Sequence, residues 1–265
     1  MPTALVITAA GINCDLELGE AFRSAGCDVE AIQLKRLMTE PSLIGQFDLI
    51  GLPGGFSYGD DIAAGRVMAA LIRQSLFPYL VDAIERGVPM IAPCNGFQIA
   101  VQVGLLPGPV AGGRWPAEPP APAVALSDNA SARFTDRWVG VEVPAETRCI
   151  WTRGLDGTPA TMLLPVAHGE GRFSATPEQL AALQSGGQVA LRYRHDDNPN
   201  GSLGDVAGIC DASGLVFGLM PHPERFTRWS QHPFWTRLDA AERRAEPIGL
   251  HMFRQAVAHA AGVTV

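Results

Sequence analysis

The spacing of short apolar runs in the first hundred residues narrows the choice of fold more than any other feature. ALVITAA, VEAIQL, DLIGLPGG and VPMIAP are strand-length and almost continuously apolar, the pattern of strands buried on both faces. Between the first two lies CDLELGEAFRSAG, a helix-like stretch. Asn13 precedes it as the expected N-cap, Asp15 and Glu17 fall in its first turn where acids favour the dipole, and Gly26 ends it. Strands alternating with helices in this way build βαβ units. The expected fold class is α/β, with a mostly parallel central sheet flanked by helices. A chain of 265 residues, 47% hydrophobic and 18% charged, has apolar content enough for one large core, so a single domain over 1–265 is expected.

The second half reads differently. RWVGVEV, RCIWTR, TMLLPVAHG, QVALRYR, DVAGIC and LVFGLM are strand candidates. Thr176 and Gln179 form a capping pair around Pro177, which starts a short helix, and PIGLHMFRQAVAHAAG has the apolar spacing of a final helix that stops at Gly262. Residues 108–123, GPVAGGRWPAEPPAPA, hold too much Pro and Gly for either element and are expected to be a surface insertion loop.

Composition removes several functions. With 20 Lys+Arg against 27 Asp+Glu, a net charge of −7, the chain offers no basic stretch for nucleic acid. The five cysteines are unevenly spaced, with no C-x-x-C pair, which argues against a disulfide framework or a zinc knuckle, and no metal is expected. The N-terminal apolar run is too short for a signal sequence or a membrane span, and a cytoplasmic location is expected.

Three motifs carry the chemistry, each at the end of an apolar strand. VPMIAPCNGFQ leads through Cys94 into a helix, the sequence form of a nucleophile elbow; a cysteine there faces the positive end of the helix, a position that favours the thiolate. Cys94 could equally be a small buried apolar residue. MPHPER sets His222 and Glu224 two apart in a segment stiffened by prolines, so that in an extended chain both side chains point the same way and Glu224 can orient the imidazole. A surface pair, or half of a metal site, is the alternative. GLPGGFSYGDD brings Gly54 and Gly55, whose backbone can approach a ligand and aim an N–H at a developing oxyanion, with Asn95 supplying the second N–H. No G-K-[ST] follows to make it a phosphate loop.

Taken in order, these motifs resemble class I glutamine amidotransferases. GGFSYGDD, CNGFQ, NASARFTDRW, PVAHGEGRF, NPNGS and MPHPER resemble, more narrowly, the glutaminase components of phosphoribosylformylglycinamidine synthase, over nearly the whole chain. The resemblance implies a flavodoxin-like domain in which Cys94 attacks the amide of L-glutamine, His222 passes a proton to departing ammonia and Glu224 holds His222. It implies an oxyanion hole from the N–H groups of Gly55 and Asn95, and substrate contacts from Gln98, Gly54 and His168. Gln98 could also be a helix-surface residue, and HGEGRF could face either the substrate or a partner. The implied partner is the large synthetase subunit, with a small bridging subunit, and ATP and Mg are used there; no cofactor is expected in this chain. Ala92 and Pro93 depart from the Gly-aliphatic pair usual before the cysteine, and the 108–123 loop is longer than usual. The competing readings are a glutaminase for a different synthetase, a cysteine hydrolase of similar fold, and an inactive regulatory homologue, which would be expected to lack one of the three catalytic residues.

Overall fold

The computed structural model describes residues 1–263. Strands run over Thr3–Thr8 (β1), Asp28–Gln33 (β2), Leu49–Gly51 (β3), Met90–Pro93 (β4), Ala125–Ser127 (β5), Thr135–Glu142 (β6), Leu163–His168 (β7), Arg172–Ser174 (β8), Val189–Tyr193 (β9), Val206–Cys210 (β10) and Val216–Leu219 (β11). Helices occupy Asp15–Ser24 (α1), Leu34–Thr39 (α2), Arg66–Ser75 (α3), Phe77–Glu85 (α4), Asn95–Val103 (α5), Pro177–Ser185 (α6) and Ile248–Ala260 (α7). Nine strands form one sheet in the order β2-β1-β3-β4-β11-β10-β9-β6-β7, and β5 pairs with β8 beside it. From β2 to β11 every pairing is parallel. Beyond β11 every pairing is antiparallel. The expected α/β fold is therefore present, and the strand-rich second half lengthens its sheet, with only the short β5–β8 pair standing apart.

Both faces of the parallel strands are covered, as their continuous apolar runs require. Along β1, Leu5 and Ile7 enter one core with residues of α3, α4 and α5, while Ala4 and Val6 enter the other with residues of α1 and α7. Phe22 packs edge-on against Phe253 at 5.1 Å and Trp151 at 6.5 Å, which ties α1 to α7. Each such buried ring contributes about 1.5–3 kcal/mol through its removal from water.

Several local expectations need correction. The N-cap of α1 is Cys14 rather than Asn13, and its side chain makes no capping bond. RCIWTR is a 3-10 turn at Ile150–Thr152, not a strand. Its apolar centre serves a single anchor, because Trp151 is fully buried and its indole N–H donates to the Leu215 carbonyl at 2.9 Å. The helices α2, α3 and α4 and the short strands β5 and β8 lie where the sequence pattern predicts no element. The 108–123 loop has no regular structure, as expected, but it is fastened down. The Arg73 guanidinium donates to the carbonyls of Gln102, Val103, Pro119 and Pro120 at 2.8–3.2 Å, and Trp115 stacks edge-on with Phe77. Among the described residues, no single helix is long and apolar enough to cross a membrane.

Candidate active site

Four neighbouring strands, β1, β3, β4 and β11, point their carboxyl ends at one place, the crevice where parallel α/β sheets hold ligands. The chain leaving β4 turns at Cys94, whose φ of 50° and ψ of −110° lie in a region that a residue with a Cβ rarely adopts. The turn is held from both sides. The Cys94 N–H donates to the Leu219 carbonyl of β11 at 2.7 Å, and Gly96, one position into α5, is so close to the Leu52 carbonyl oxygen that a Cβ would meet it at 2.0 Å. Pro93 is compatible with this elbow, since it ends β4 opposite Leu219 and the bond to β11 is made by the next N–H. The Cys94 thiol is nearly buried and approaches the Ala167 carbonyl at 3.6 Å.

His222 and Glu224 follow β11. They do not meet through an extended chain; Pro223–Arg225 is a 3-10 turn with His222 as its N-cap, and Pro223 suits the first position of such a turn as well as it suits a strand. His222 Nδ1 and Glu224 Oε1 lie 2.6 Å apart, both side chains buried. Burial opposes charging of the imidazole, but the Glu224 carboxylate and Cys94 outweigh it and push the His222 pKa up to about 10. Among the described residues, the other ring nitrogen, Nε2, has no hydrogen-bond partner. A thiol, an imidazole with one nitrogen unengaged and a carboxylate bonded to the other nitrogen are thus brought together.

The Gly54-Gly55 loop closes over this pair from β3. A Cβ on Gly54 would lie 2.9 Å from His222 Cε1 and 3.4 Å from Cys94 Cβ, so only glycine lets the backbone come this near. The Gly54 carbonyl accepts from the Cys14 N–H at 3.4 Å. In a trans peptide that turns the Gly55 N–H the opposite way, and Gly55 lines the cavity beside Cys94. Asn95 occupies the first position of α5, where a backbone N–H has no acceptor within the helix.

Residues 1–260 match the family model of the CobB/CobQ-like glutamine amidotransferase domain. The chain belongs to that family. It is 40% identical over 262 residues to the phosphoribosylformylglycinamidine synthase subunit PurQ of Dehalococcoides mccartyi, covering 96% of this chain and 95% of that one. It is 43% identical over 235 residues to the PurQ subunit of Thermomicrobium roseum, covering 83% and 86%. Among solved structures, PurLQS from Thermotoga maritima superposes with a TM-score of 0.70 at 30% identity over 97% of both chains.

The amidotransferase pocket beside Cys94 is a cavity of about 160 Å³ walled by Gly55, Asp60, Gln98 and the stretch from Ala167 to Glu170. Gln98 is committed within the wall. Its Nε2 donates to the Glu170 carbonyl at 2.5 Å, and its Oε1 accepts from Asn95 Nδ2 at 2.9 Å. Asn95 Nδ2 also reaches Asp60 Oδ1, whose carboxyl burial pushes above the usual range. His168 lines the cavity, yet its ring nitrogens are occupied: Nδ1–H donates to Asn129 Oδ1 at 3.0 Å, and Nε2 faces Asn200 Nδ2 at 3.5 Å. Burial first, then the nearby His222, lowers its pKa to about 4, so His168 is neutral. Gln98 and His168 therefore shape the pocket with their side chains held by other residues of the chain, whereas Gly54 packs against His222 and Cys94 and does not line it.

Sequence reasoning named the NASARF, HGEGRF and NPNGS motifs but not what joins them. Asn129 is the centre: its Oδ1 accepts from His168 Nδ1 and the Gly171 N–H, while its Nδ2 donates to the carbonyls of His168 and Arg133. Asn200 adds a bond to the Gly171 carbonyl at 2.8 Å. The available signal was an asparagine in each of two short loop motifs, Asn129 between Asp128 and Ala130 and Asn200 between Pro199 and Gly201. Such side chains are kept inside only when fully bonded.

Proposed function

We propose that this chain is the glutaminase subunit of a phosphoribosylformylglycinamidine synthase, hydrolysing L-glutamine to glutamate and ammonia. The ammonia passes to a synthetase that converts formylglycinamide ribonucleotide to formylglycinamidine ribonucleotide in purine biosynthesis. The observation that carries the reading is the convergence of Cys94 in its left-handed turn, the unpartnered Nε2 of His222 and Glu224 at 2.6 Å from Nδ1, within a chain 40% identical to a PurQ subunit along its length. In the proposed reaction Cys94 Sγ bonds to the amide carbon and the carbonyl oxygen takes the negative charge, facing the N–H groups of Gly55 and Asn95. The C–N bond then breaks as His222 gives its proton to the departing ammonia, and water, deprotonated by the same imidazole, releases glutamate from the thioester.

The partner is the large synthetase subunit, assembled with a small bridging subunit. Support comes from the likeness to a chain of PurLQS and from Phe56 and Phe134, which sit at the pocket and remain 47% and 56% exposed. ATP and Mg belong to that partner, and this chain uses no cofactor of its own. We further propose a single-domain protein acting in the cytoplasm. The test is to reconstitute the complex with Cys94→Ala: glutamine-dependent synthesis should vanish while ammonia-dependent synthesis remains. Equal loss of both would remove the nucleophile role from Cys94.

A further inference from the structure

The reaction above uses only the backbone of Asn95, yet its side chain is buried and both of its polar atoms are bonded. Their partners lie in the loop that leaves β3 and carries Gly55. That loop is gripped from two directions. On the side of β1, the Phe56 N–H donates to the Gly11 carbonyl at 3.0 Å and the Tyr58 N–H to the Ala10 carbonyl at 2.7 Å. Ser57, between them, points its N–H the other way, to Asn95 Oδ1 at 3.3 Å. Three residues on, Asp60 Oδ1 accepts from Asn95 Nδ2 at 3.3 Å and from the Gly65 N–H at 3.2 Å. The same Nδ2 also donates to Gln98 Oε1 at 2.9 Å.

Only an amide meets these demands together, since it carries one acceptor and two donors on a short stem. A carboxylate at this place would have nothing to donate and would stand against Asp60, and an apolar side chain would leave the Ser57 N–H without its acceptor. Asp60 depends on the arrangement too. Burial pushes its carboxyl up, while the Gly65 N–H and after it the Asn95 amide favour the carboxylate. Because Asn95 is the first residue of α5, these bonds run from the head of the nucleophile helix to the loop that carries the other N–H donor.

Resting on the glutaminase reading, we infer that the Asn95 side chain is a positioning group, which clamps the Ser57–Asp60 limb of the loop to the head of α5 and so fixes the Gly55 N–H relative to the Asn95 N–H. One residue then supplies one oxyanion donor from its backbone and aligns the other through its side chain. The bond to Gln98 allows a rival role, support of the pocket wall, and that role would act on substrate affinity instead of turnover.

The experiment uses the reconstituted complex, with co-elution with the synthetase as the check on folding and glutamine as the substrate. Asn95→Leu keeps the backbone N–H and removes the clamp. It should lower kcat about tenfold to a hundredfold, the effect of a misplaced donor and not of a missing one, while KM moves by less than about threefold. Asn95→Asp keeps the acceptor for Ser57 but sets a carboxylate against Asp60, and should lose at least as much. Asp60→Asn alone should be mild, because an amide oxygen at position 60 can accept both bonds and asparagine tolerates the φ of 52° found there. Combined with Asn95→Asp it should recover most of the loss, since the new amide at 60 can donate to the new carboxylate at 95. If Asn95→Leu does not assemble, Asn95→Asp and its combination with Asp60→Asn decide. Wild-type kcat in the assembled Asn95 variants, a rise in KM with kcat unchanged, or no recovery in the double variant overturns the inference. A wild-type complex that makes product from ammonia but not from glutamine would instead overturn the glutaminase reading.

Discussion

Two buried histidines, His168 in the pocket wall and His222 behind Gly54, have opposite surroundings. His222, at the end of β11, faces a carboxylate and keeps one nitrogen unbonded, and its pKa rises to about 10. His168, at the end of β7, is held between the amides of Asn129 and Asn200, and its pKa falls to about 4. The lesson is that burial alone does not set the role of a histidine. A charged partner on one side and a vacant nitrogen on the other make a proton carrier, whereas neutral partners on both sides make a rigid strut. On the proposed mechanism the first region performs the chemistry, and the second fixes the wall of the pocket.

The largest effect should come from the reactive region. His222→Ala should lower glutamine-dependent turnover as severely as loss of Cys94, and Glu224→Gln should be milder by roughly one to two orders of magnitude, since an orienting group does not itself carry the proton. Steady-state kinetics of the complex measure this, and a Glu224 variant as inactive as the His222 one would erase the distinction between carrier and orienter.

Next comes the oxyanion loop. If the synthetase orders the Gly54-Gly55 peptide fully against Cys94, glutaminase turnover should rise by about 10²–10³ on adding the partner with its nucleotide and ribonucleotide ligands. Full turnover by the isolated chain would point to a free-standing hydrolase.

The strut region should respond through stability and substrate affinity. Asn129→Ala leaves the His168 Nδ1–H and the Gly171 N–H without their acceptor, so unfolding free energy should fall by about 2–4 kcal/mol and KM for glutamine should rise more than kcat falls. Arg172→Ala, on an exposed strand position, should leave basal glutaminase activity alone and report only on docking, through a smaller gain on adding the synthetase.

The effect that is smallest per step, a slope read over single pH units, sharpens the comparison most directly. His168 has a folded pKa below its unfolded one, so between about pH 4 and 6.5 the unfolded chain binds the extra proton and stability falls as pH falls. His222 has a folded pKa above its unfolded one, so its contribution is complete below pH 6.5 and is lost as pH rises towards about 10. Denaturant titrations across pH should show slopes of opposite sign, each at most about 1.4 kcal/mol per pH unit. His168→Gln should flatten only the acid side, and His222→Gln only the alkaline side.

The sequence by itself determined the α/β fold, the Cys94 elbow, the His222–Glu224 pair and the capping box at Thr176, which forms as expected with Thr176 Oγ1 accepting from the Gln179 N–H at 3.2 Å. Each is written in residues that are neighbours in the chain: a run of apolar side chains, a strand that ends on a cysteine, a histidine two positions from a glutamate. The tertiary structure alone decided the rest. RCIWTR has the apolar content of a strand, yet the bond from Trp151 to Leu215, 64 residues away, makes it a turn. Asn129 is a polar residue in a loop until His168, 39 positions later, folds over it. Cys14 stands 211 residues from Arg225, and nothing local to either predicts that the end of β1 comes to rest beside the turn after β11. Periodicity and capping are short-range physics and can be read from the chain, but a buried hydrogen bond is specified only when packing brings its two halves together and excludes water from both.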